Sequence, residues 1–467
     1  MGERTVLSVI LGLLALVFLA GCSSFDGQKV RREHAASYPQ ALAQTTAEAL
    51  SAGDPLGLED CCRIAMENSL QTRSAEIQQR IAKLERKVAF ANFLPVVSVG
   101  YQHYEFDPSI SLPLPDMDPV KIDKVRSIMW EANVSLFNPA TWFLYAMHKR
   151  GEEIAGLVTD YTRQMTAWQV TALYFQCLSL EEAVGALDSE LAAAVQMEKD
   201  LRALSEEGLV SEWQAEQAGV LVQARRIGRN QTQRSLAQAR ANLLAAMGLS
   251  PVADFSLKQQ LPLEPPEGAV EELILEALLS HPRLAIADRS IEIEKEKVKI
   301  ALSNFLPQLF GFVYRPDSLE DFVSAPDQWI YGMAGTMTLF TGFANINEYK
   351  AARQRRTESF LEREQASLAV MLSVIEAHLA LETAKERVAL ARSALDVKGK
   401  ELAETEEKWR EGLVNSSEML ERTSERDRAQ MQAINARFQY QVSTATLLNA
   451  MGRTKIDYKE PQNDGQS

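Results

Sequence analysis

The sequence predicts a mainly α-helical protein that also carries membrane β-structure, built as two tandem repeats, each a strand pair joined to long coiled-coil helices. Three observations predict it. The chain repeats itself: Asn92-Phe93-Leu94-Pro95 returns as Asn304-Phe305-Leu306-Pro307, Gly208-Leu209-Val210 as Gly412-Leu413-Val414, and Ala246-Met247-Gly248 as Ala450-Met451-Gly452. Four segments alternate with a period of two, and two long stretches without proline hold apolar residues at heptad spacing. A repeat of roughly two hundred residues is too long for a solenoid unit and reads as one module duplicated and fused.

The amino terminus has its own signature. Met1-Gly2-Glu3-Arg4 leads into an apolar run from Val6 to Leu19 and then Ala20-Gly21-Cys22-Ser23. Such a run is short for a membrane span and suits a signal-peptide core. Leu19-Ala20-Gly21-Cys22 resembles the bacterial lipobox, which implies a signal peptide over 1–21, lipid on Cys22 and an anchored segment over 22–54. An ordinary signal peptide with an incidental cysteine is the alternative. By the same resemblance, Ser23 after the cysteine points to the outer membrane.

No later stretch approaches 18 uninterrupted apolar residues, so any second membrane contact is expected to be β. A net charge of −14 argues against nucleic acid or anionic lipid as a main partner. Cys61 and Cys62 are adjacent and Cys177 stands alone, without metal-ligand spacing. Cys177 is expected as a small buried residue, whereas the vicinal pair has no assigned role. His34, His103, His148, His281 and His378 are scattered, and no glycine-rich phosphate loop follows a strand. No catalytic, cofactor or metal site is expected.

Repeat 1 spans 55–250. A leading helix, Leu58 to Asn92, comes first, and strands follow at about 95–106 and 127–137. Between them lies Asp107 to Arg126, rich in Pro and Asp. The offset between copies falls from 212 to 203 across it, as expected of extra length in a solvated loop. From Thr141 to about Leu204, Val170, Leu173, Cys177, Leu180, Val184, Leu187, Leu191 and Ala194 hold a heptad frame. Repeat 2, 270–455, holds the same frame through Ala377, Leu381, Ala384, Val388, Ala391 and Leu395. A proline-rich linker, 251–269, joins the copies, and a tail covers 456–467. Repeat 2 opens on Val270 to Asn304, where His281-Pro282 marks a turn, and its strands fall at about 306–314 and 328–340.

Each strand sets an apolar face against another. Val97, Val99 and Tyr101 oppose Ser98, Gly100 and Gln102, and Trp130, Ala132, Val134 and Leu136 oppose Glu131, Asn133 and Ser135. In the third strand Phe310, Phe312 and Tyr314 are expected outward and Leu309, Gly311 and Val313 inward. In the fourth, Trp329, Tyr331, Met333, Met337 and Leu339 oppose Gln328, Gly332, Thr336 and Thr338. About ten residues each suits a tilted membrane strand, with Trp130, Trp329 and Tyr331 near the strand ends as a girdle. A lipid-exposed sheet must close, and four strands are too few. Two chains would supply eight strands and three would supply twelve.

The long helices end at Gly208 and Gly412, suited to the left-handed position that closes a helix, with Ser211 and Asn415 placed to cap the next. Glu206, Glu207, Glu212 and Glu411 flank these tips. They are either a solvated surface or, around a symmetry axis, acidic pore rings that favour cations.

Taken together, the twofold repeat, the junctions Asn92-Phe93-Leu94-Pro95, Asn304-Phe305-Leu306-Pro307, Leu136-Phe137-Asn138-Pro139 and Leu339-Phe340-Thr341-Gly342, and the tips Gly208-Leu209-Val210-Ser211 and Gly412-Leu413-Val414-Asn415 resemble the outer-membrane factor family, the TolC-like channels. The resemblance covers about residues 55 to 455. It implies a homotrimer, with a 12-stranded outer-membrane β-barrel continuous with a periplasmic α-helical barrel. It also implies a periplasmic membrane-fusion adaptor and an inner-membrane RND, ABC or MFS pump as partners. Gly208, Leu209, Val210, Gly412, Leu413 and Val414 become the adaptor-docking candidates. Asn138-Pro139 departs from the usual Asp-Gly or Gly-Gly, although Pro139 suits a first helical turn. The rival reading is a lipid-anchored coiled-coil tether without a pore.

Overall fold

The computed structural model describes residues 26–50, 53–114, 117–259, 262–318 and 328–453. The signal segment, Cys22 and the tail 456–467 lie outside the described residues. The elements run α1 (Gly27–Ala49), α2 (Leu58–Asn68), α3 (Leu70–Ala91), β1 (Val96–Leu114), β2 (Met117–Phe137), α4 (Pro139–Glu206) and α5 (Glu212–Ala246). The second series is α6 (Val270–Ser280), α7 (Pro282–Ser303), β3 (Gln308–Ser318), β4 (Ile330–Thr336), α8 (Ala344–Arg410) and α9 (Ser416–Ala450). At 1.5 Å per residue, α4 and α8 are rods of roughly 100 Å.

Two cores sit at equivalent places in the copies. In the first, Cys61, Ala65, Val170, Cys177, Leu243 and Met247 pack together. In the second, Leu273, Ala277, Val374, Leu381, Leu447 and Met451 do the same. At the copy offsets of 212 and 204, Cys61 stands where Leu273 does and Cys177 where Leu381 does, so these cysteines replace leucines. Burial pushes the Cys177 thiol up to about 12 and raises that of Cys61 as well. They are neutral, small apolar side chains, and Cys62 is buried beside them.

Four expectations are corrected. The leading helix of repeat 1 is two helices, because the chain breaks at Ser69 (φ −59°, ψ 128°); repeat 2 breaks at His281. Residues 107–114 and 117–126, expected as loop, instead extend the first hairpin: β1 and β2 pair from Val96↔Asn133 out to Leu114↔Met117, with an irregularity between Glu105 and Ile110. The first strand pair is therefore about twice the expected length, and Trp130 lies inside β2 instead of near its end. The fourth strand is Ile330–Thr336, shorter than 328–340. An additional helix, α1, occupies the segment before repeat 1 and is tied to the end of repeat 1 by Ser250 N–H donating to Thr46 Oγ1 (2.9 Å).

The linker is fastened at both ends. Leu56 bridges Leu257, with Leu56 N–H on the Ser256 carbonyl and Lys258 N–H on the Leu56 carbonyl at 2.9 Å each. Leu263 N–H donates to Gln441 Oε1 of α9 at 2.7 Å. The copies are further joined along α4, where Arg150 pairs with Glu292 (2.7 Å) and Arg289 with Glu153 (3.0 Å) of α7 and α4 respectively.

Candidate functional site

The sheet is four-stranded and antiparallel in the order β1-β2-β3-β4, so β1 and β4 are open edges. Directly opposite residues share a face in an antiparallel pair, and the register assigns both faces. One carries Val97↔Ala132, Val99↔Trp130 and Tyr101↔Ile128, continued by Ala132↔Val313, Val134↔Gly311, Val313↔Tyr331 and Gly311↔Met333. Arg315, paired with Trp130, lies over the Trp329 ring at 5.7 Å. This face is apolar yet uncovered: Val97 is 69 %, Tyr331 79 % and Met333 80 % exposed.

The other face carries Ser98, Gly100 and Gln102 on β1 and Glu131, Asn133 and Ser135 on β2. Glu131 pairs with Tyr314, Asn133 with Phe312 and Ser135 with Phe310. The third strand is thus turned opposite to expectation, with its aromatics among the polar residues and Leu309 and Val313 on the apolar side. The neighbouring strand accommodates both sides, with Gly335 against Leu309 and Gly332 against Phe312. Phe312 lies across Gly332, where a Cβ would stand 2.8 Å from its Cζ, and stacks on Tyr314 with ring centroids 5.9 Å apart. A glycine on β4 makes room for the ring that periodicity alone directs outward.

At the far end of the rods, the tips have the local geometry expected. Gly208 and Gly412 take φ of +76° and +77°. Leu209 N–H then reaches back to the Leu204 carbonyl and Leu413 N–H to that of Lys408, the 6→1 bonds of a Schellman turn. Ser211 N–H donates to Gln214 Oε1, and Asn415 Oδ1 accepts from Glu418 N–H, at 2.9 Å each. Gln214 Nε2 also donates to Ser416 Oγ (3.1 Å), tying the tips together. Leu209 and Leu413 project at 68 % and 69 % exposure, while Val210 and Val414 are half-buried. Glu206, Glu207, Glu212 and Glu411 are exposed around them. Trp213, on the first turn of α5, is also exposed, and a single tryptophan carries no period by which the sequence could mark it.

Helix α8 bears a second uncovered apolar surface. Leu361, Leu368, Leu372, Leu379, Leu390 and Val397 are exposed, at steps of seven, four, seven, eleven and seven. Among the described residues, α8 is also the helix long and apolar enough by length and composition to cross a membrane. The steps are those of a helix-packing seam, and Glu376 and His378 interrupt the run. Among the described residues no group of His, Cys, Asp and Glu is arranged to hold a metal ion.

A small uncovered sheet thus stands on hairpins of very long helices. Residues 273–453 match the sequence model of the family described as outer membrane efflux protein. The fold is similar to the CmeC outer membrane channel of Campylobacter jejuni, with a TM-score of 0.72 at 15% identity over 85% of each chain. It is similar to VceC of Vibrio cholerae, with a TM-score of 0.72 at 16% identity over 85% of this chain and 96% of that one. For the MtrE outer membrane channel of Neisseria gonorrhoeae the TM-score is 0.70 at 18% identity, covering 85% and 89%. No curated protein matches the chain by sequence. The second repeat thus carries an outer membrane efflux protein domain, and the fold across both repeats is similar to that of the TolC-like channels.

Proposed function

We propose that the chain is the outer-membrane channel of a tripartite export system, assembled as a homotrimer whose twelve strands close a barrel and whose helices continue it as a periplasmic tunnel. The observation that carries this is the sheet: among the described residues, four strands with two open edges, one apolar face uncovered, and a second face on which β1 and β2 are polar. In lipid every backbone group must be satisfied, so such a sheet has to be closed by copies of itself. The apolar seam on α8 supports the same assembly, since nothing among the described residues covers it.

Substrate would arrive from an inner-membrane RND, ABC or MFS pump through a periplasmic adaptor seated on the tips, with Gly208, Leu209, Val210, Gly412, Leu413 and Val414 as its contacts. Glu206, Glu207, Glu212 and Glu411 would ring the entrance and favour cations. Cys22 would carry the lipid that tethers each protomer. The chain acts by conducting, without a catalytic step. A tether without a pore fits less well, because a hairpin that merely capped a coiled coil would bury its apolar face on helices, and Tyr331 and Met333 stand clear of them.

The test is complementation with the tips altered. Leu209→Asp with Leu413→Asp should abolish export while the protein reaches the outer membrane at normal levels. Normal export by that double variant would remove the docking assignment.

A further inference from the structure

About 25 Å above the tips, counted at 1.5 Å per residue, the helical hairpins of one chain meet through buried charge. Glu190 of α4 is 3 % exposed and Asp427 of α9 is 1 % exposed. Arg225 of α5 reaches both, with Nη2 2.7 Å from Asp427 Oδ2 and Nη1 3.6 Å from Glu190 Oε2. Arg426 of α9 adds a contact to Asp427 Oδ1 at 3.0 Å. Asp427 thus holds two close guanidinium contacts and Glu190 one long one, and none of the four carboxylate oxygens receives a hydrogen bond of good geometry. Asp188, the nearest acidic neighbour along α4, is turned onto Arg229 at 2.8 Å.

The fold does not require this cluster. At the copy offset of 204, Glu190 corresponds to Ala394, Arg225 to Ala429, and Asp427 and Arg426 to Gln223 and Val222. The duplicated positions are filled with small or neutral side chains, and Glu190 is a charged side chain in a buried row with Ala183, Leu187 and Ala194. A buried carboxylate without full pairing is expensive to keep charged. Burial, then the Asp427 charge, raise the Glu190 pKa against the pull of Arg225 and Arg426; burial raises that of Asp427 against the same two arginines.

We propose that Glu190 is a proton acceptor that sets how tightly the two helical hairpins of one protomer hold each other, the contact firming as the surrounding compartment acidifies. The step is proton uptake from water onto the Glu190 carboxylate, which leaves Arg225 wholly to Asp427 and removes the repulsion between the two acids. A carboxyl whose folded pKa is raised favours the fold at low pH, and that contribution is lost as pH rises through the folded value. The inference stands on these helices alone and holds whether or not the chain forms a pore.

Thermal unfolding of the full chain in detergent tests it, with wild type and Glu190→Gln compared at pH 5.5 and 7.5. The neutral amide should raise Tm at pH 7.5 by on the order of 2 °C, and the gap should shrink at pH 5.5 as wild type takes up its own proton. A lower Tm for the variant at pH 7.5, or one gap at both pH values, overturns the proposal. Hydrogen exchange on wild type alone gives the second arm: corrected for intrinsic rates, peptides covering 183–197 and 420–434 should be better protected at pH 5.5 than at 7.5. Equal protection there overturns it as well.

Discussion

Gly248 lies so close to Asn68 that a Cβ on the glycine would fall 2.3 Å from the Asn68 carbonyl oxygen. Its φ is +74°, and in the second copy Gly452, at +72°, lies against His281 in the same way, where a Cβ would fall 3.1 Å from the His281 Cα. The repeated Met-Gly pair therefore docks the end of each return helix onto the break in its leading helix, while the methionine fills the core below. Gly248→Ala combines left-handed strain with a clash against backbone that cannot swing aside, and should destabilise the fold by roughly 2–4 kcal/mol. Gly208→Ala, equally left-handed but facing open space, should lose only about 1 kcal/mol. Denaturation of the two variants measures the difference, and equal losses would contradict the docking role.

The register predicts which strand residues meet water. Single cysteines at Phe310 or Phe312, on the face shared with Ser135 and Asn133, should react with a membrane-impermeant maleimide in the assembled protein. Cysteines at Val97, Val99 or Met333 should resist it and react with a lipid-soluble reagent. Labelling in the reverse pattern would restore the outward reading of Phe310 and Phe312.

The tips separate function from stability. Leu209 and Leu413 are exposed and make little internal contact, so Leu209→Ser and Leu413→Ser should each change unfolding free energy by less than about 0.5 kcal/mol. Export in a complementation assay should nonetheless fall sharply. A loss of export that tracks a loss of folded protein would mean the leucines serve the fold.

His281 gives an acid-side prediction of opposite sign to that of Glu190. Its Nδ1 accepts from Arg283 N–H at 3.1 Å, capping α7, and burial, helped by Arg283, lowers its pKa. A base with a depressed folded pKa contributes stability that is present above its ordinary value near 6.5 and lost as pH falls through the folded value. His281→Asn keeps a capping side chain and should flatten that loss between pH 7 and 5, whereas His281→Ala should forfeit about 1 kcal/mol even at pH 7. Melting curves across that range distinguish the two. Because His281 is common to wild type and Glu190→Gln, its contribution cancels from their comparison.

The helices were legible because two copies state one heptad frame, and a frame kept twice fixes which residues face the seam. Val170, Cys177, Ala377 and Leu381 are buried as that frame requires. The tip turns were legible from glycine followed by a capping Ser or Asn. Periodicity failed where a neighbour decides: nothing within the third strand shows that Gly332 will make a bed for Phe312. Proline and aspartate signal loops on average, yet residues 107–114 and 117–126 extend their strand pair and accommodate its irregularity at the Glu105 to Ile110 shift. The break at Ser69 carries no Pro or Gly, and Gly248, which packs against it, lies 179 positions away. The charged cluster at Glu190 was hidden for the same reason, since its members come from three separate helices.

The central claim is that identical copies close this sheet into an aqueous conduit. Single-channel recording of the purified full chain in a planar bilayer, with the mass of the detergent particle determined on the same sample, tests it most directly. A three-chain particle is expected, with discrete, ohmic conductance steps that disappear when the particle is dissociated. A one-chain particle that leaves the bilayer silent would contradict it.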